Sequence, residues 1–133
     1  MEMAAINWLA VIAASLVGFA IGFVWYGPLF GKSWMASVGM TEEDAQKGNM
    51  AKIFGFTFVF QFIMAYWLAM FFGGEVSAQE GAFYGFLTGF GWVAMAIGVN
   101  ALYEQKSWKY IFINGGFWSV VFTLMGLIIG GWK

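Results

Sequence analysis

The sequence predicts an all-α fold, a bundle of four transmembrane helices that forms one membrane domain over residues 1–133. Hydrophobic residues make up 62% of the chain and charged residues only 10%, whereas a soluble domain is about half apolar and about a quarter charged. A helix must also be apolar over about 20 residues to cross a hydrocarbon core of about 30 Å. Four runs meet this length, at 7–26, 53–72, 81–103 and 110–132.

The composition removes most catalytic chemistry from consideration. The chain has no cysteine and no histidine, which excludes disulfides, thiolate chemistry, imidazole catalysis and the usual zinc sites. Its carboxylates lie outside the apolar runs or at their ends, where a buried acid–base centre is not expected. We therefore expect no enzyme, no catalytic residue, no cofactor and no metal site.

The net charge of −1 and the basic residues make nucleic acid an unexpected partner. All six basic residues are lysines spread over the connections, so no arginine fork is available for phosphate recognition. The lipid bilayer is the expected environment, and the sequence does not name a small-molecule ligand.

Small residues recur at every fourth position in three of the runs. Such ridges let transmembrane helices approach closely where lipid offers no hydrophobic driving force. The third run is expected to continue its glycine face through Trp92, Ala96, Asn100 and Tyr103. More ridges are present than one bundle needs, which favours a homodimer. The predicted packing residues are Ala14, Gly18, Gly22, Gly81, Gly85, Gly89, Gly126 and Gly130.

The first connection is the longest. Its helix is expected to stop at Tyr26-Gly27-Pro28, because proline disfavours a helical conformation in the residue before it and has no amide hydrogen to donate. A short helix at the headgroup level is expected next, ending at Gly39. Thr41 then precedes three acidic residues, which is typical of an N-cap with acids in the first turn.

The lysines predict the orientation, because short cytoplasmic loops are enriched in them. Only Lys133 lies on the opposite side from the other five. The connections 27–52 and 104–109 are therefore expected in the cytoplasm, with both termini outside the cell (inner) membrane. The five lysines of the cytoplasmic side are Lys32, Lys47, Lys52, Lys106 and Lys109.

Part of the chain echoes itself. The segment 20–34 and the segment 96–108 both open with Ala-Ile-Gly, carry a tyrosine and close with Lys-Ser-Trp. This pattern predicts two tandem helical hairpins in a parallel internal repeat about an axis along the membrane normal. The first hairpin then contains a cytoplasmic insertion over residues 35–51.

Polar and interfacial aromatic residues collect toward the cytoplasmic ends of the runs. One interpretation is a polar vestibule or binding site near the inner leaflet. The other is hydrogen bonding between helices together with an aromatic belt. The candidate cluster is Trp25, Tyr26, Thr57, Gln61, Asn100, Tyr103 and Asn114.

Several motifs resemble a known family. They include Trp25-Tyr26-Gly27-Pro28, Gly31-Lys32-Ser33-Trp34 and Ile113-Asn114-Gly115-Gly116. Over nearly the whole chain the sequence resembles the bacterial membrane family catalogued as domain of unknown function 1761. The resemblance implies four membrane helices and no established activity.

Two functions remain open at this point. The first is a structural or interaction protein that self-associates through glycine ridges. The alternative is an uncoupled channel or carrier for a small solute, in which Asn, Gln, Thr and Tyr side chains line a polar path.

Overall fold

A computed structural model describes residues 6–132, and these residues contain four helices that are long and apolar enough to cross a membrane. The helices are span 1 (Trp8–Leu29), span 2 (Met50–Phe72), span 3 (Ala78–Tyr103) and span 4 (Trp108–Gly131). The all-α class and the four membrane helices that the sequence predicts are thereby confirmed. Spans 2, 3 and 4 begin earlier than predicted because their caps lie farther out, and span 1 continues to Leu29 through the turn that contains Pro28. The N-caps of spans 2, 3 and 4 are Asn49, Ser77 and Ser107. The side-chain oxygen of each accepts a hydrogen bond from a backbone N–H in the first turn of its span.

The proline in span 1 widens the helix end before the chain turns away. The regular α-helix covers Trp8–Val24, and the next turn, Trp25–Leu29, is a π-helical turn that contains Pro28. Gly27 within it has non-helical dihedral angles (φ −104°, ψ −105°). The helix axis is therefore broken beside the proline, where the sequence predicts a stop.

Two short helices occupy the first connection. The helix Gly31–Val38 ends at Gly39, whose φ of 68° lies in the left-handed region that glycine adopts without strain. The helix Glu42–Gln46 starts with a capping box between Thr41 and Asp44. The backbone N–H of Thr41 is the main cause that holds the pKa of Asp44 below its ordinary value.

Span 4 is the central helix of the bundle, since it contacts spans 1, 2 and 3. Spans 1 and 2 also pack on each other, and spans 3 and 4 share the most extensive contact. The core lies between spans 1, 2 and 4, and its fully buried members are Val11, Ala14, Ala65, Val121 and Met125.

Spans 3 and 4 touch through their backbones. A Cβ atom on Gly81 would overlap the carbonyl oxygen of Gly126, and one on Gly85 would overlap that of Phe122. Gly130 meets the Ser77 carbonyl in the same way, and Gly89 lies against Ser119 and Trp118. These glycines bring the two helix axes close enough for many dispersion contacts, which are the main attraction between helices in lipid.

The small residues of span 1 face two different helices. Ala14 is fully buried in the core. Gly18 lies directly against the side-chain amide of Gln61 in span 2, whereas Gly22 faces the ring of Phe117 in span 4. All the small residues that the sequence selects for packing therefore lie against other helices of the same chain.

A π-helical stretch, Gly89–Ala94, changes the face that span 3 presents to span 4. The buried small residues are spaced by four up to Gly89, and the next ones are Ala94 and Ala101. One extra residue in the wide turn rotates the remainder of the helix relative to a continuous α-helix. The glycine face thus continues through Ala94 and Ala101, and the expected continuation through Trp92 and Asn100 points outward instead.

The two ends of the described chain meet at one end of the bundle. The side-chain amide of Asn7 donates a hydrogen bond to the Trp132 carbonyl, with a donor–acceptor distance of 3.0 Å. An even number of spans requires this arrangement, and it places the connections of residues 30–49 and 104–107 together at the opposite end. The internal repeat stays a prediction. The two hairpins differ in one feature, because the π-helical turn lies at the end of span 1 but in the middle of span 3.

We expect Gly85→Ala to destabilise the monomer by about 1–3 kcal/mol, because the added methyl group must push spans 3 and 4 apart. The matched control is Gly91→Ala in the same span, since a Cβ at Gly91 has open space around it. This control is expected to stay within about 0.5 kcal/mol of the wild type. Unfolding by SDS titration in mixed micelles measures both. Equal destabilisation by the two variants would contradict the close backbone contact.

Candidate functional site

Two consecutive aromatic residues at the end of span 1 dock onto the start of span 4. The indole N–H of Trp25 donates to the Ile113 carbonyl at 2.9 Å. The hydroxyl of Tyr26 donates to Oδ1 of Asn114, and Nδ2 of Asn114 donates to the Tyr110 carbonyl at 3.2 Å. Trp25, Tyr26 and Asn114 therefore form one hydrogen-bonded unit between the two helices, here called the clasp.

Local backbone features place the clasp. In an α-helix, consecutive side chains point about 100° apart, but the wide turn at Trp25–Leu29 lets both rings lie against Phe117. Gly116 leaves room for the indole, since a Cβ there would be 3.0 Å from Trp25. The ring of Trp34, from the helix Gly31–Val38, covers Tyr26 edge-on at 5.6 Å.

Beside the clasp, spans 1 and 2 separate to leave a groove of about 440 Å³. We name it the Gln61 groove. Tyr26 and Met50 lie at its cytoplasm-facing end in the predicted orientation, and Gly18 and Gln61 lie at the other end. Phe117 of span 4 forms part of the floor. The remaining lining residues are Phe19, Gly22, Phe23, Ile53, Phe54, Thr57 and Trp118.

Gln61 is the most unusual residue of this groove. Its side chain is only 3% exposed, and its Oε1 atom has no hydrogen-bond partner among the described residues. A buried amide oxygen without a donor costs free energy on the order of 1–3 kcal/mol. Gln61 also lies at the middle of span 2, about 16 Å along the helix from Met50. This is deeper than the cytoplasmic end at which the sequence analysis places it.

The structure brings together five of the seven predicted cluster residues. Trp25, Tyr26 and Asn114 form the clasp, and Thr57 and Gln61 line the adjoining groove. Asn100 and Tyr103 lie elsewhere, on the exposed face of span 3, and Tyr103 is 86% exposed. The π-helical stretch at Gly89–Ala94 is the cause, because it rotates the following residues away from span 4.

Several lining residues of the groove carry no signal that sequence reasoning detects. Phe19, Phe54 and Trp118 have the same residue types as the lipid-facing positions around them. The lining residues that the sequence does select are the polar Tyr26, Thr57 and Gln61 and the small Gly18 and Gly22.

The lining of the Gln61 groove carries no formal charge. The groove residues are apolar or neutral polar, and the described part of the chain has no cluster of three or more His, Cys, Asp or Glu residues that could hold a metal ion. The polar groups of its lining residues are the Tyr26 and Thr57 hydroxyls, the Trp118 indole N–H and the Gln61 amide, and the Tyr26 hydroxyl already donates to Asn114.

The clasp joins the two most distinctive motifs of the sequence, Trp25-Tyr26-Gly27-Pro28 and Ile113-Asn114. A family model described as a protein of unknown function (DUF1761) matches residues 9–130. The chain belongs to this family. The DUF1761 match covers all four spans, and it confirms the resemblance noted in the sequence. No curated protein and no solved structure matches the chain.

We expect Tyr26→Phe to lower the free energy of unfolding by about 1–2 kcal/mol, because Asn114 Oδ1 loses its donor in a partly buried position. Tyr103→Phe is the matched control, since the Tyr103 side chain is largely exposed and this variant should not alter stability measurably. SDS titration of both variants in the same mixed micelles gives the comparison. An unchanged stability of Tyr26→Phe would show that the clasp does not hold spans 1 and 4 together.

Proposed function

We propose that this DUF1761 protein is a non-catalytic interaction protein of the cell membrane that forms a homodimer through the outer face of span 3. The observation that carries the proposal is the exposed amide of Asn100. This side chain has no hydrogen bond within the described residues, although it belongs to a membrane-spanning helix. Polar side chains in such helices usually hydrogen-bond to a neighbouring helix.

The glycine ridges do not supply this contact. Gly81, Gly85 and Gly89 lie against span 4, and Gly18 lies against span 2. A dimer therefore needs a different surface from the one on which the sequence argument for self-association rests. The outer face of span 3 is available, since Trp92 is 77% exposed, and Ala96 and Asn100 are also exposed.

A second copy of the chain fits the chemistry of this face. A primary amide is both donor and acceptor, so two Asn100 side chains related by a two-fold axis satisfy each other. Ala96 lies one turn away and permits close approach, while a Cβ at Gly91 has open space around it. In lipid, an amide pair of this type stabilises association by about 1–2 kcal/mol.

The alternative, an uncoupled channel or carrier, has less support. Most side chains packed between spans 1, 2 and 4 are apolar, among them Val11, Ala14 and Met125. The buried hydroxyls of Ser15 and Ser119 are bonded within their own helices. The polar groups of the clasp already have partners, since Tyr26 donates to Asn114, and Trp25 and Asn114 donate to backbone carbonyls of span 4. Asn100 and Tyr103 do not extend the groove into a path across the membrane.

Cysteine crosslinking tests the dimer without background, because the native chain has no cysteine. In membranes, we expect Asn100→Cys to form an intermolecular disulfide under mild oxidation, since the two-fold axis passes near this residue. Val59→Cys is the matched control, as Val59 is similarly lipid-exposed but lies on span 2. Equal crosslinking at both positions would mean random collision, and it would overturn the proposed interface.

Sedimentation of the wild-type protein in detergent supplies a second measurement. We expect Asn100→Leu to weaken dimerisation by about tenfold, which corresponds to the loss of about 1.4 kcal/mol. The proposal would be contradicted if the wild-type protein sedimented as a monomer in detergent at a protein-to-detergent ratio well above its protein-to-lipid ratio in the membrane.

The orientation is part of the same proposal, with the lysine-bearing connections in the cytoplasm and both termini outside. The support is the bias of lysines toward the end that holds residues 30–49 and 104–107. A membrane-impermeant maleimide applied to intact cells should label Gln79→Cys and should not label Gln46→Cys or Gln105→Cys. The reverse pattern would invert the topology, and labelling of all three would indicate dual insertion.

A further inference from the structure

Two polar groups on successive turns of span 2 line the Gln61 groove, and the fold leaves both without partners. The first is Oε1 of Gln61, which is buried and accepts no hydrogen bond from a described residue. The second is the hydroxyl of Thr57, one helical turn away, which has no hydrogen bond within the described residues. Side chains four residues apart lie on one helix face, about 5–6 Å between Cβ atoms.

The other membrane hydroxyls show how the fold normally treats such groups. Ser15 donates to the Val11 carbonyl at 2.7 Å, and Ser119 donates to the Gly115 carbonyl at 2.8 Å. Thr88 and Thr123 likewise donate to carbonyls four residues earlier in their own helices. The Thr57 hydroxyl makes no such hydrogen bond, and the unpaired acceptor Oε1 of Gln61 lies one helical turn away.

Gly18 places the Gln61 amide at the wall of the groove. A Cβ on Gly18 would overlap the amide, so only glycine at this position leaves room for the side chain between spans 1 and 2. Both Gly18 and Gln61 line the groove. The sequence thus provides space for a buried amide whose oxygen the fold itself does not satisfy.

The depth of the amide restricts what can occupy the groove. Gln61 lies at the middle of span 2, and therefore near the centre of a bilayer about 30 Å thick. A phospholipid keeps its headgroup at the membrane surface, so it brings only hydrocarbon to this depth. A donor other than water that reaches Gln61 belongs to a small uncharged molecule that dissolves in the hydrocarbon.

We propose that the Gln61 groove binds an uncharged, membrane-soluble molecule that carries a single hydroxyl on an apolar body, as in an alkylphenol. Oε1 of Gln61 is enclosed in the empty groove, and it reaches the ligand when the amide rotates about its terminal side-chain bond. The hydroxyl then donates to Oε1 and accepts from the Thr57 hydroxyl. The apolar body packs on Phe19, Phe54 and Phe117. The volume of about 440 Å³ is in the range of small-molecule sites.

A second groove, between spans 2 and 3, serves as an internal contrast. It has a similar volume, about 450 Å³, and it is lined by Trp67, Phe71, Tyr84 and Trp92 among others. Its threonine, Thr88, already donates to the Tyr84 carbonyl at 2.9 Å. This groove also carries the Tyr84 hydroxyl and the indole N–H groups of Trp67 and Trp92, but among the described residues it has no counterpart of the buried, unpaired oxygen of Gln61.

The test compares 4-hexylphenol with hexylbenzene, which differ only in the hydroxyl. The protein is labelled with ¹⁵N at its glutamines, Gln46, Gln61, Gln79 and Gln105, and is titrated in micelles with each probe expressed as a mole fraction of detergent. The Gln61→Leu spectrum identifies the Gln61 side-chain signals. Single Glu substitutions of the other three glutamines identify them by elimination if Gln61→Leu does not fold.

We expect 4-hexylphenol to shift the Gln61 signals with saturation and to bind about tenfold more tightly than hexylbenzene. Thr57→Val should weaken phenol binding by about five- to tenfold and leave hexylbenzene binding unchanged. Thr88→Val is the control and should alter neither. Equal affinity for the two probes, or a phenol affinity that Thr57→Val leaves unchanged, overturns the proposal. So does the absence of a saturable shift, which is the result if water satisfies Gln61. None of these outcomes bears on the span 3 dimer.

Discussion

The backbone contact between spans 3 and 4 is the interaction on which the rest of the structure depends. In lipid, hydrophobic burial does not drive helices together, so close approach must supply the attraction. Four glycines permit this approach, since a Cβ atom added at any of them would overlap the backbone of the facing segment. They are Gly81, Gly85, Gly126 and Gly130. Span 4 becomes the central helix as a result, and spans 1 and 2 then pack on its remaining faces. The clasp and the Gln61 groove both use span 4 as their floor.

The glycine ridges contact other helices of the same chain. Glycine motifs in membranes have two different roles, and this contact shows which of them applies. A glycine ridge that faces lipid indicates a partner, whereas one that faces its own chain stabilises the monomer. Here the ridges belong to the second type, and the exposed polar group Asn100 takes over the argument for a partner. The sequence alone does not distinguish a ridge that faces lipid from one that faces its own chain, because the spacing of glycines such as Gly81 and Gly85 is the same in both cases.

The sequence predicts the fold far better than it predicts the site. Run length and composition predict the four spans, and the local chemistry of Pro28, Gly39 and Thr41 predicts the structure of the first connection. These features depend on nearest neighbours and on the thickness of the bilayer, both of which are readable from the chain. The packing glycines are likewise identified by spacing alone, although the helix that each one faces is not.

The site is less predictable because it depends on helix rotation. Trp25, Tyr26 and Asn114 are selected because all three lie near one end of their spans, and they are neighbours in the structure. Asn100 and Tyr103 satisfy the same criterion, yet they lie outside the cluster, because a π-helical stretch has no strong sequence signature. The sequence also cannot predict that the Gln61 oxygen is unpaired, because that depends on the hydrogen bonds made by every donor around it in the folded structure.

The wide turn at Gly89–Ala94 makes span 3 a helix of two registers. Its first half is aligned by glycines on span 4, and its second half is offset by about one residue, or about 100° of rotation. If the same residues were wound as one continuous α-helix, Asn100, eleven residues after Gly89, would lie on the glycine face and point toward span 4. The wide turn thus determines whether this amide faces its own chain or the bilayer, without any change in the helices that surround it.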